Sequence, residues 1–217
     1  MRMTMQTTFR AAAILLAATA LASCSGKPAS ITDIRPDDMT LGSPTAKVTM
    51  VEYASVACPI CGNFEENLWP EVKAKYIDTG KVRYVYRPMP MGVMTIAMTG
   101  ELLAECSGKD KYFNVVEAIM RGQEVFYKHR TVETDEFARP VMLDIAQSVG
   151  MSEADFNKCV TNPDSVNKLQ ARFDNYEKKD NVYETPTFFI NGQKLDRTKG
   201  DITDFDAAIQ PLLKANP

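Results

Sequence analysis

The sequence predicts an α/β domain in which two strand-containing segments are separated by about 90 helical residues. Near the N-terminal end an apolar strand is followed by a helix and a second strand. Near the C-terminal end two short strands are joined by an Asn-Gly turn and followed by a helix. Apolar residues recur at helical spacing between these segments. The chain has 217 residues, which suits one domain with a sizeable core once a targeting segment is set aside.

Residues 1–23 are predicted to be a signal peptide. Arg2 and Arg10 precede the apolar run 11–22, which is too short to span a bilayer. The sequence Leu21-Ala22-Ser23-Cys24 matches a lipobox, where cleavage leaves Cys24 at the N-terminus carrying lipid. Ordinary cleavage after Ala22 is the alternative. The polar, proline-containing segment 24–45 is then expected to be a tether to the membrane, with a short edge strand over 39–41.

The cysteine count favours lipidation of Cys24. The chain has five cysteines, so one is unpaired if all the others form disulfides. A lipid on Cys24 leaves two pairs, Cys58–Cys61 and Cys106–Cys159. We expect the second pair to form a structural disulfide, since each of its cysteines falls on the apolar face of a predicted helix. Two free buried cysteines are the alternative.

The folded domain is expected to cover 46–217 and to begin with a strand over 46–53 and a helix over 59–78. Between them lies Cys58-Pro59-Ile60-Cys61. Pro59 suits the first position of a helix, which places Cys58 at the N-cap, facing unpaired N–H groups. These groups stabilise a thiolate, so the pKa of Cys58 is expected below the free value of ~8.5. Cys58 should attack and the more buried Cys61 should resolve.

Three other uses of two thiols at this spacing are weighed against the redox centre. Structural zinc needs a second pair of Cys or His ligands, and His129 is the only histidine of the chain. A permanent disulfide is the second alternative, and copper held by two soft thiolates is the third. We expect no metal and no cofactor.

The remaining elements follow in order. A strand is predicted over 81–87, a helical insertion over about 92–181, strands over 187–190 and 193–195, and a helix over 202–214 that Asp201 caps. The insertion is expected to break near Gly108, Thr131–Thr134, Gly150 and Pro163. The strand over 187–190 follows Thr185-Pro186, a position where proline is tolerated.

With these motifs the chain resembles the thioredoxin superfamily, and more closely the DsbA-like thiol:disulfide oxidoreductases. The run Val51–Cys61 is similar to the family's strand, loop and redox centre, and Phe64-Glu65-Glu66 resembles a family motif. The resemblance implies a thioredoxin fold with a helical insertion between its βαβ and ββα halves. It also implies a cis peptide bond between Thr185 and Pro186, lying against the active-site cysteines.

The resemblance further assigns roles to individual residues. Glu52, buried beneath the two cysteines, is expected to exchange a proton with Cys61. Thr185 is expected to pair with an extended substrate segment, and Pro59 and Ile60 to contact it. Known relatives carry His where this chain has Ile60, which cannot lower the pKa of Cys58 in the same way.

The predicted function is a lipid-anchored thiol:disulfide oxidoreductase of the cell envelope or periplasm. The expected direction is oxidation of unfolded exported proteins that contain cysteines, with reoxidation by a quinone-linked, DsbB-like membrane thiol oxidase. The alternatives are a disulfide reductase or isomerase and a copper-binding envelope lipoprotein. We expect a monomer that contacts the membrane through its lipid. The formal net charge of −3 and the lack of a dense basic cluster argue against nucleic-acid binding.

Overall fold

The structure, a computed structural model, describes residues 30–128 and 134–215. A five-stranded sheet in the order β1-β3-β2-β4-β5 forms its centre. Strands β2 and β3 are parallel, and the other three pairings are antiparallel. The strands are β1 (Met39–Leu41), β2 (Val48–Ala54), β3 (Val82–Pro88), β4 (Thr187–Ile190) and β5 (Gln193–Lys194). The predicted α/β fold of thioredoxin type is confirmed.

The helix predicted over 59–78 is interrupted, which corrects that prediction. Helix α1 (Pro59–Asn67) ends before a short helix α2 (Trp69–Val72), and a π-helical turn (Lys73–Ile77) follows. Leu68, at the junction, has φ −121° and ψ −34°. The physical reason is Pro70, which has no N–H to donate to the preceding turn and restricts the residues before it.

The helical insertion lies between β3 and β4, close to its predicted limits. It ends at Asn181, which adopts the left-handed conformation that commonly terminates helices. Its six helices are α3 (Met94–Cys106), α4 (Tyr112–Arg121), α5 (Gln123–Lys128), α6 (Thr134–Ser148), α7 (Glu153–Val160) and α8 (Pro163–Asp180). Breaks occur at Gly108, Gly150 and Pro163 as predicted, and most of the predicted break 131–134 lies outside the described residues.

The main core lies on the side of the sheet that faces α1 and the last helix, α9 (Ile202–Ala215). Asp201 accepts a hydrogen bond from the backbone of Thr203 and so caps α9 as predicted. Phe64 of α1, Phe188 of β4 and Phe205 of α9 pack as an aromatic cluster with ring centroids 4.8 to 5.9 Å apart. This cluster joins the helix that carries the cysteines to the C-terminal half.

The second half of the segment 24–45, which is expected to be a tether, packs onto the domain. Strand β1 pairs with β3, and Asp38 forms a fully buried ion pair with Arg87. Arg87 also donates to the carbonyl oxygens of Ile31 and Asp33. A buried guanidinium requires such acceptors, and this segment provides them. Residues 1–23, Cys24 and the first part of the tether lie outside the described residues.

Candidate active site

Cys58 occupies the N-cap position of α1, at the end of the loop that follows β2. Its backbone is extended, with φ −93° and ψ 119°, and Pro59 follows inside the first turn. No side-chain hydrogen bond caps this helix end, so the first N–H groups of α1 stay available to a negative charge on the Cys58 sulfur. Pro59 and Ile60 are exposed, and Ile60 exposes 64% of its surface above the two thiols.

This environment lowers the pKa of the Cys58 thiol to about 5. The main cause is a hydrogen bond from the Cys61 side chain, with further help from the backbone N–H groups of Cys61 and Ile60. Burial opposes the shift but does not cancel it. Cys58 is therefore a thiolate at neutral pH in the reduced protein, which makes it the nucleophile and the better leaving group.

Cys61 has the opposite properties. Its side chain is fully buried, and burial together with the neighbouring Cys58 raises its pKa well above the usual value. The two cysteines are reduced in this structure, with no bond between their sulfur atoms. The predicted division of roles, attack by Cys58 and resolution by Cys61, is consistent with this difference.

Glu52 lies on β2, where only 3% of its surface is exposed. Burial raises the pKa of its carboxyl group to about 8, partly offset by a hydrogen bond of 2.7 Å from the Tyr84 hydroxyl. Glu52 and the two cysteines influence each other electrostatically. A carboxyl group with this pKa can gain or lose a proton near neutral pH.

The Thr185–Pro186 peptide bond is cis and precedes β4. In the thiol form Cys58 donates to the carbonyl oxygen of Thr185 at a distance of 3.5 Å. A groove of about 610 Å³ runs beside this contact, with Ile60, Thr185 and Pro186 in its wall. The structure thus brings together every residue that the sequence predicts for catalysis or substrate binding.

Sequence reasoning did not find the residues that hold the cysteine loop in place. Gln123 of α5 donates from its side-chain amide to the carbonyl oxygens of Val56 and Cys58, at 2.8 and 3.1 Å. Gly92 lies so close to Ala57 that an added Cβ would be 2.0 Å from its carbonyl oxygen. The only sequence signal for Gly92 is its position after Pro88 and Pro90, where a glycine suits the positive φ that it adopts. The sequence contains no signal for the roles of Gln123 and Tyr84.

Cys106 and Cys159 form a disulfide between α3 and α7, with Cα atoms 6.3 Å apart. This is the pairing that the sequence predicts. Cys159 is 8% exposed, and its neighbours Leu102, Leu169 and Phe173 form a small apolar cluster. The bond fastens two helices of the insertion away from the α1 terminus, as expected of a structural disulfide.

Within residues 30–128 and 134–215, no three His, Cys, Asp or Glu side chains come together as a metal site. In that part of the chain, copper would have only the two thiols of Cys58 and Cys61 as a binding pair, and His129 lies outside it. The same ranges contain no helix that is both long and apolar enough to cross a membrane.

A family model described as thioredoxin matches residues 35–210. The chain belongs to the thioredoxin family. Among solved structures it is similar to α-DsbA1 of Wolbachia pipientis, with a TM-score of 0.72, 26% identity and coverage of 84% of this chain and 94% of that one. The predicted membership of the DsbA-like branch is confirmed by this match and by the curated relatives.

Two of these relatives are named as protein-disulfide oxidoreductases. The Rickettsia bellii protein is 29% identical over 83% of this chain, and the Rickettsia conorii protein is 30% identical over 72% of it. The chain spans 66% of the length of the Rickettsia bellii protein and 54% of the length of the Rickettsia conorii protein.

Proposed function

We propose that this thioredoxin-family protein is a thiol:disulfide oxidoreductase that introduces disulfides into unfolded exported proteins. The observation that carries the proposal is the unequal pair at the start of α1, where the pKa of Cys58 is lowered to about 5 and that of buried Cys61 is raised. A thiolate stabilised in the reduced state makes the disulfide a stronger oxidant. The names of the relatives support the coarser class, a protein-disulfide oxidoreductase, which is common to both directions of the reaction.

In the proposed reaction a substrate thiolate attacks the sulfur of Cys58 in the Cys58–Cys61 disulfide. The bond between the two cysteines breaks, and Cys61 leaves as a thiolate that takes a proton from Glu52. A second substrate thiolate then attacks the substrate sulfur of the mixed disulfide and releases Cys58 as a thiolate. Two electrons pass from the substrate to the enzyme, and Cys58 and Cys61 end in the reduced state.

The groove beside the cis Thr185–Pro186 bond would hold the substrate. The Thr185 backbone would pair with an extended segment, as in strand addition, and Pro59 and Ile60 would contact its side chains. Such binding requires no particular sequence, which suits unfolded polypeptides.

The location and the electron partner are part of the same proposal. The signal peptide, the lipid on Cys24 and the tether would place the domain in the cell envelope, anchored to a membrane. A quinone-linked, DsbB-like thiol oxidase would then reoxidise Cys58 and Cys61. Labelling of the expressed precursor with a radioactive fatty acid tests the anchor, with Cys24→Ala as the variant that should lose the label.

The direction of the reaction is tested by equilibrating the Cys58–Cys61 pair against glutathione buffers. We expect a potential well above that of thioredoxin, ~−270 mV, and oxidation of a reduced unfolded protein by stoichiometric oxidised enzyme. A potential near that of thioredoxin, together with fast reduction of insulin, would instead favour the reductase alternative. Copper titration followed by thiol counting separates the copper-binding alternative from both.

A further inference from the structure

The groove beside Cys58 contains a cation that the proposed reaction does not use. Arg197 lies on the segment between β5 and α9 and lines the same 610 Å³ groove as Ile60, Thr185 and Pro186. The proposed reaction gives it no role, and neither the cysteine motif nor the hairpin pattern predicts it.

Three aromatic rings hold the guanidinium group of Arg197 in place. Its central carbon lies 5.2 Å from the centroid of Phe64, 5.3 Å from that of Phe188 and 5.9 Å from that of Phe205. These distances are in the range of cation–π contacts. Because the rings belong to the core cluster, the charge has a fixed position and loses water on the side that faces them.

Arg197 has no carboxylate within ion-pair distance in the described ranges, although its charge lowers the pKa of the buried Glu52 carboxyl. It makes no ion pair there, and its Nε atom is buried without a hydrogen-bond acceptor. The neighbouring lysine of the groove, Lys194, is already paired with Glu184 at 2.7 Å, and the exposed Asp196 forms no ion pair with Arg197. Because no acceptor of the described ranges binds the guanidinium group, those of its N–H donors that reach the groove can bind an acceptor on a substrate.

We propose that Arg197 is a specificity-determining residue that binds a carboxylate of the substrate, from an Asp or Glu side chain near the reacting cysteine. The planar guanidinium presents several N–H donors and suits a carboxylate better than a neutral amide. The inference rests on the proposed function, since it assumes that the polypeptide bound to Cys58 lies in this groove. The proposed contact predicts a preferred substrate class, namely polypeptides in which an Asp or Glu lies near the reacting cysteine.

The test uses pairs of single-cysteine peptides that carry Glu or Gln at successive positions on either side of the cysteine. The rate of mixed-disulfide formation with oxidised enzyme is measured at low salt. For at least one position we expect the Glu peptide to react on the order of tenfold faster, the size expected for one charge-assisted hydrogen bond. The ratio should shrink as salt is added.

Variants assign this ratio to Arg197. In the enzyme variant Arg197→Gln, the rate with the Glu peptide divided by the rate with the Gln peptide should fall to about one. In Arg197→Lys, which keeps the charge, part of this rate ratio should remain. Arg139→Gln is the matched control, because Arg139 also lies over a ring, that of Phe156, but is paired with Glu153. Its ratio should equal that of the wild type.

The outcomes separate this inference from the function on which it rests. Equal rates for every Glu and Gln pair in the wild type, or a ratio that survives Arg197→Gln, overturn the role of Arg197 alone. A wild type that forms no mixed disulfide with any peptide overturns the proposed function, and the inference with it.

Discussion

At the residue scale, the low pKa of Cys58 depends mainly on one hydrogen bond from its partner, Cys61. This has a consequence for mutants that trap mixed disulfides. A variant that removes the Cys61 side chain also removes the group that stabilises the thiolate. Its Cys58 is then a less stabilised thiolate and a poorer leaving group than that of the wild type, for a reason separate from the lost resolving thiol.

Cys61→Ala is therefore expected to raise the pKa of Cys58 from about 5 by roughly one unit. Cys61→Ser is the control, because its hydroxyl group still donates a hydrogen bond and should keep the pKa closer to 5. The measurement is the ultraviolet absorbance of the thiolate as a function of pH. Identical titrations of the two variants would show that the backbone N–H groups set the pKa instead.

A second prediction concerns the hydroxyl of Tyr84, which donates to Glu52 and lowers its pKa. Tyr84→Phe should raise the pKa of Glu52 above 8 by roughly one unit, the size expected for one hydrogen bond to a charged group. In the reverse of the proposed first step, Cys61 attacks the Cys58 sulfur of a mixed disulfide, and Glu52 must be ionised to accept the proton of Cys61. The rate of this resolution step should therefore begin to rise at higher pH than in the wild type. The measurement is the pH profile of mixed-disulfide resolution in a single turnover.

Tyr86→Phe is the matched control for this prediction. Tyr86 is also buried on β3, but its hydroxyl has no hydrogen-bond partner among residues 30–128 and 134–215. Removal of that hydroxyl should leave the profile unchanged. Equal shifts in both variants would mean that Tyr84 acts through packing and not through its hydrogen bond to Glu52.

At the element scale, the helical insertion is fastened by the disulfide between α3 and α7. The two cysteines are 53 residues apart, and closing a loop of this length stabilises a protein by about 4 kcal/mol in the chain-entropy model. The double variant Cys106→Ala, Cys159→Ala should therefore melt about 10 °C lower, while its oxidised Cys58–Cys61 centre still oxidises a reduced unfolded protein. An unchanged melting temperature, with two free thiols in the air-oxidised wild type, would contradict the pairing.

The elements that the sequence predicts well are those with local causes. The strand before Cys58, the hairpin at Asn191-Gly192 and the glycine breaks of the insertion all follow from residues a few positions apart. The helix after Cys58 ends earlier than predicted because Pro70 interrupts the hydrogen bonds of the turn before it. Gln123, Tyr84 and Arg197 escaped prediction because their contacts join positions far apart in the chain, and no periodic pattern records such a contact.

At the scale of the whole molecule, the N-terminal segment and the insertion are joined on one side of the sheet. Asp38 pairs with Arg87, Arg87 also contacts Tyr53, and Tyr53 donates to Asp180 at the end of α8. Arg35 forms a second ion pair with Asp180. The segment before β1 is thus part of the folded unit and not only a connection to it.

Asp38→Ala should consequently destabilise the protein by about 4 kcal/mol, because it leaves the buried charge of Arg87 without its partner. Asp37→Ala is the control, since Asp37 is exposed and makes no ion pair within the described ranges. Unfolding in denaturant measures both. A loss of less than ~1 kcal/mol in Asp38→Ala would indicate that the backbone carbonyls of Ile31 and Asp33 are sufficient for Arg87.

If Cys24 carries the proposed lipid, the ion pair between Asp38 and Arg87 also limits the distance between the folded domain and the membrane. With residues from about Ile31 held against the sheet, a lipid on Cys24 would be about seven residues from the part of the chain that packs on the domain. An extended chain covers at most ~3.5 Å per residue. The connection from Cys24 to about residue 30 can therefore extend to roughly 20 Å, whereas a connection over all of 24–45 could extend to about 70 Å. The groove would then meet its substrates within about one protein diameter of the bilayer, close to a membrane-embedded oxidase and out of reach of polypeptides deeper in the compartment.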